Sequence, residues 1–113
     1  MALKTCNNLV SWGSVLATIE AIAIAEGAGV PVDKLLAVMT RNRLLTPAAS
    51  VFLAYRSDPG DAVRRASVAV QGTIAEKDVK LAQALAAGAG VAAPLADKAA
   101  PLIRDALVAI SKS

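Results

Sequence analysis

Apolar residues crowd the first quarter of the chain instead of alternating with polar ones. No charge falls between Leu9 and Ile19, and Leu9, Val10, Trp12, Val15, Leu16, Ile19, Ile22 and Ile24 occupy nearly every face of a helical wheel. This pattern predicts one long helix from Leu3 to about Glu26, apolar all round and so buried all round. "EGAG" (Glu26 to Gly29) ends it, because glycine takes the left-handed conformation after a helix at little cost. Pro31 suits the start of a second helix that continues through "VDKLLAVMT". Thr46 as N-cap and Pro47 at the first position open a third.

"SDPGD" (Ser57 to Asp61) reads as a turn, and Asp61 to Gln71 is ambiguous, with a short helix as one reading. "TIAE" (Thr73 to Glu76) has the spacing of a capping box, so a helix is expected to start there and run to about Ala87. That start would put Lys77 and Asp78 in its early turns. "GAG" (Gly88 to Gly90) stops it, and Pro94 opens a last helix to about Ile110, kinked near Pro101. The sum is an all-α fold: a single helical domain over residues 1–113, with one long N-terminal helix and about four more.

Composition sharpens this picture. The chain is 56% hydrophobic but 3% aromatic, with alanine supplying much of the apolar fraction, which favours helix over strand. Mean hydropathy is +0.54, high for a domain of 113 residues. The longest uncharged runs, Thr5 to Ile19 and Leu81 to Ala96, are broken by polar residues, glycine and proline, and fall short of a membrane span. A partner surface is the better account, and a homodimer through the long first helix is expected. A net charge of +3 with scattered Lys and Arg, one Trp, one Tyr and one Phe argues against nucleic acid as a partner. Cys6 is alone and histidine is absent, so no metal site is expected. "MALK" lacks the apolar core of a signal peptide, which makes the cytoplasm the expected location.

Two polar islands carry the candidate chemistry. Lys4 and Asn8 are four apart, hence on one helical face a turn from each other. They are either a solvated helix end with a polar interruption, or a site in which a lysine moves a proton and an amide holds a substrate oxygen. A lysine suits that task when desolvation or a neighbouring positive charge brings its pKa toward neutrality. The second island is "EKDVKLA" (Glu76 to Ala82), readable as a solvated first helical turn. "GAGVAA" (Gly88 to Ala93) matches a dinucleotide fingerprint by letter, but a helix precedes it where a strand is needed, so it reads as a helix stop.

Taken together, "KTCNN" (Lys4 to Asn8), "EAIAIAEGAGV" (Glu20 to Val30) and "EKDVKLAQALAAGAGVAAP" (Glu76 to Pro94) resemble the C-terminal helical domain of the β-hydroxyacid dehydrogenases. That group includes 3-hydroxyisobutyrate dehydrogenase, tartronate semialdehyde reductase and relatives of 6-phosphogluconate dehydrogenase. The resemblance implies oxidation of a 3-hydroxy acid, or reduction of its semialdehyde, with NAD or NADP. It implies Lys4 as the catalytic lysine, Asn8 as the residue that positions the substrate oxygen, and Lys77 and Asp78 beside the nicotinamide end of the cofactor. The family's Rossmann domain has no counterpart in these residues, so the chain alone is expected to be inactive. The family's frequent phenylalanine eight residues before the aspartate is here Val70, and its acidic, serine-containing tail is not evident after Lys112 and Ser113. The alternative expectation is a non-enzymatic helical dimerisation module that keeps the fold.

Overall fold

A computed structural model describes residues 1–58, 60 and 62–110. They form six helices: α1 (Ala2–Gly27), α2 (Val32–Arg41), α3 (Pro47–Ser57), α4 (Ala62–Ala89), α5 (Pro94–Ala99) and α6 (Ile103–Ile110). There is no strand among the described residues. The all-α expectation holds, with five helices after the first where about four were expected. The longest dimension, 42 Å, is set by α4, since 28 residues at a rise of about 1.5 Å each span the same distance.

α1 is the central element and touches every other helix, while α4 makes its most extensive contacts with α6 and α1. The core side of α1 is a stripe of Thr5, Trp12, Val15, Thr18, Ile22 and Ala25. On α4 the buried residues are Val68, Gly72, Ala75, Val79 and Ala82, at alternating spacings of four and three. Ile103 and Leu107 of α6 close the core from the far side. Phe52 bridges Trp12 and Tyr55 through two tilted ring contacts, with centroids 5.9 and 6.2 Å apart.

α1 is not buried all round. Leu3 is 86% exposed, and Val10 and Ile24 are each 71% exposed. Five shorter or similar helices do not surround one of 26 residues, so one apolar side faces outward. By length and hydropathy alone α1 also meets the requirement for crossing a bilayer, contrary to the sequence expectation. Its other side nevertheless anchors the core through Trp12 and Val15, with Leu9, Leu16 and Ile19 packed against it.

Several predicted punctuation marks hold. Gly29 and Gly90 have φ of +76° and +70° and close α1 and α4, with Val30 N donating to Ala25 O and Val91 N to Ala86 O. Thr46 caps α3, its Oγ1 accepting from Ala49 N at 3.2 Å. The same hydroxyl bonds Ser14 Oγ at 2.9 Å and so ties the start of α3 to α1. Pro31 stands one position before α2 as its N-cap. In the predicted turn before α4, Gly60 N donates to Asp58 Oδ1 at 3.1 Å, while Pro59 and Asp61 lie outside the described residues. Lys112 and Ser113, on which the expectation about the tail rests, also lie outside them.

Two further expectations fail. No helix starts at Thr73, because α4 is continuous from Ala62 to Ala89. Thr73 Oγ1 folds back onto Ala69 O at 3.3 Å, a bond within the helix and not a cap. Glu76 pairs with Lys80 at 3.3 Å and with Arg104 at 3.7 Å instead of reaching back to the Thr73 backbone. Lys77 and Asp78 therefore sit mid-helix, and the dipole of a helix N-terminus has no bearing on them. The last predicted helix is split, not kinked. Pro101 brings no N–H and crowds the preceding turn, so α5 ends at Ala99 and α6 begins at Ile103.

Candidate functional site

Along α1 one helical face runs from solvent into the core. Lys4 in the first turn is exposed, Asn8 a turn later is half-buried, and Trp12 a turn further is buried. Opposite them on α4 stands Asp78, half-buried beside the seam of Ala75, Val79 and Ala82. Asp78 Oδ2 accepts from Trp12 Nε1 at 2.9 Å and from Asn8 Nδ2 at 3.4 Å. Asn8 Oδ1 takes a long 3.4 Å bond from Asn7 Nδ2. An ionised carboxylate accepts only, so the Asn8 amide must turn its nitrogen toward Asp78.

The four residues singled out in the sequence divide unevenly. Asn8 and Asp78, 70 positions apart, are in direct contact. Lys4 is one turn from Asn8 on the same face. Lys77 follows the helix about 100° round from Asp78, is exposed, and points its charge to solvent. Neither lysine forms an ion pair or hydrogen bond with a described residue. Trp12 was read from sequence only as an apolar core residue. Its spacing of four from Asn8 and its indole N–H were the signals that it could join the same polar group.

The family model described as NAD-binding of NADP-dependent 3-hydroxyisobutyrate dehydrogenase matches residues 1–112. The chain belongs to this family. The match places it in the NAD-binding C-terminal region of 3-hydroxyisobutyrate dehydrogenase-like oxidoreductases, the helical half of such proteins. Searches of curated proteins and of solved structures give no significant match.

NAD(P) association can be tested against the residues present in this 3-hydroxyisobutyrate dehydrogenase-like domain. Asp78 has a second oxygen, Oδ1, without a partner among the described residues, suited to an amide N–H such as that of a nicotinamide carboxamide. The Lys4 ammonium, on the same helical face as Asn8, suits a carboxylate or a hydroxyl, whereas Lys77 faces solvent. The pyrophosphate end finds no counterpart, because no described strand leads into a glycine-rich helix start.

An apolar cavity of about 290 Å³ lies elsewhere, toward the C-terminal half of α1, where Ile19, Ile22, Phe52 and Leu53 line it and Glu26 pairs with Arg56 at 2.7 Å. It is too small for a dinucleotide and holds none of the candidate site residues. Among the described residues no three Cys, Asp or Glu side chains gather closely enough for a metal ion.

Proposed function

We propose that the chain serves as the C-terminal domain of an NAD(P)-dependent 3-hydroxyacid dehydrogenase or semialdehyde reductase. In this reading it supplies the proton-transfer lysine and part of the substrate site to a cleft shared with a dinucleotide-binding domain. The observation that carries it is the meeting of Asn8 with Asp78, across 70 residues, one helical turn from Lys4. The family match supports the same assignment.

NAD or NADP, when bound, accepts the hydride in oxidation or gives it in reduction. Lys4 Nζ takes the hydroxyl proton of the 3-hydroxy acid as it is oxidised, and returns it when a semialdehyde is reduced. Asn8 holds the reacting oxygen one turn along, while Asp78 and Lys77 flank the nicotinamide end. Lys4 is exposed on α1, so the desolvation that proton transfer requires comes from whatever packs over the first turn of that helix.

Calorimetric titration of the 113-residue chain with NADH and NADPH tests this division of labour. No binding up to millimolar is expected for the helices alone, and binding is expected once a Rossmann domain is supplied. Micromolar binding by the isolated chain would refute it.

The outward side of α1 supports a further part of the reading, a homodimer. Leu3, Val10, Ala17 and Ile24 are all exposed and lie seven residues apart, which keeps them on one seam. A second copy of the chain is the occupant that such a seam fits. Light scattering at micromolar concentration should give twice the chain mass, and a clean monomer would sink the dimer.

A further inference from the structure

We infer that Trp12 is a positioning residue of this site: its indole N–H fixes Asp78, and through Asp78 it fixes the orientation of the Asn8 amide. The inference rests on the proposed function for its catalytic meaning, but not for its geometry. Trp12 is 9% exposed, and its ring is held by the core, tilted against Phe52 at 5.9 Å. It is therefore a donor that cannot easily leave. Its 2.9 Å bond to Asp78 Oδ2 is the short one, whereas the Asn8 bond to the same oxygen is 3.4 Å. A hydrogen bond to a charged acceptor is stronger than a neutral one, and strength falls with length. The Trp12 bond therefore decides where the carboxylate stands, and the Asn8 amide follows it.

The arrangement also explains a polar tip in an apolar core. A phenylalanine at position 12 would keep an aromatic ring in the core, smaller than the indole, and would lack the donor. Asp78 would then be left with one long bond, free to swing toward solvent, and Asn8 would lose the acceptor that dictates which way its amide faces.

The test uses nitrogen-resolved NMR on the whole chain. It has one tryptophan, so the indole N–H gives one resonance to follow. Asp78→Ala is expected to move that resonance and speed its exchange with water, while Lys77→Ala leaves it in place. Trp12→Phe is expected to move the Asn8 side-chain amide pair. Joined to a dinucleotide-binding domain, Trp12→Phe should lower kcat/KM by about tenfold, the fold-change that loss of one hydrogen bond of ordinary net strength brings. An indole resonance unmoved by Asp78→Ala, or an unchanged kcat/KM in Trp12→Phe, would overturn the inference. Asp78→Ala keeps the tryptophan in place and so remains informative if Trp12→Phe does not fold. The NMR readouts need no activity. Expected shifts together with full turnover in Lys4→Ala would mean that Trp12 does orient Asp78 and Asn8 and that the proposed function is wrong.

Discussion

Lys4→Ala is expected to lower turnover by about 10²- to 10⁴-fold when this domain works beside a dinucleotide-binding domain, the range that one positioned proton-transfer group contributes. The loss should fall on kcat, with substrate binding nearly kept, because Asn8, Lys77 and Asp78 remain. The fold should be untouched, since Lys4 is exposed and its side chain bonds to no described residue. Unchanged unfolding midpoints in wild type and variant would confirm that the effect is chemical. The exposure that makes Lys4 dispensable for folding also leaves room for another domain to close over it. If Lys4→Ala leaves turnover as it was, the chain is a helical dimerisation module that retains the fold, and the lysine is an ordinary solvated helix end.

Leu107→Ala is expected to destabilise the domain by about 2–5 kcal/mol, as other large-to-small changes at buried leucines do. Leu107 is 0% exposed and stands on α6, whose packing against α4 is the most extensive between any two helices. α6 is only eight residues long, so its place depends on Ile103 and Leu107 and little on intrinsic helix stability. Truncating one of two anchors leaves a cavity that neighbouring alanines cannot fill. At about 4 °C per kcal/mol for a domain of this size, the melting midpoint should fall by roughly 8–20 °C. Leu102→Ala, one residue before Ile103 and half exposed, should shift it by less than about 2 °C. Equal shifts for the two variants would contradict the core described here.

The positions of the helices follow closely from local chemistry. Thr46 and Pro47 open a helix because a hydroxyl and a ring without N–H suit the first turn, and the structure places the cap there. Gly29 and Gly90 end helices because the left-handed conformation costs them nothing. Lys4 and Asn8 share a face because the helix repeats every 3.6 residues. These are nearest-neighbour effects, and a single sequence contains all the information they need.

What tertiary contact decided lies between elements. Gly72 and Thr73 look like an interruption, yet α4 runs through them. A Cβ at Gly72 would stand 3.2 Å from Arg104 O, so this glycine admits the α6 backbone and does not end a helix. Glu76 finds Arg104 and Lys80 in place of a capping role. Trp12 reads as apolar until α4 brings Asp78 to its nitrogen, and Asn8 and Asp78 become one site only because α1 and α4 pack side by side. The exposed stripe on α1 is likewise invisible in a run that is apolar on all faces. Which side five other helices cover is a property of their packing, and packing depends on residues far apart in the chain, which no local pattern records.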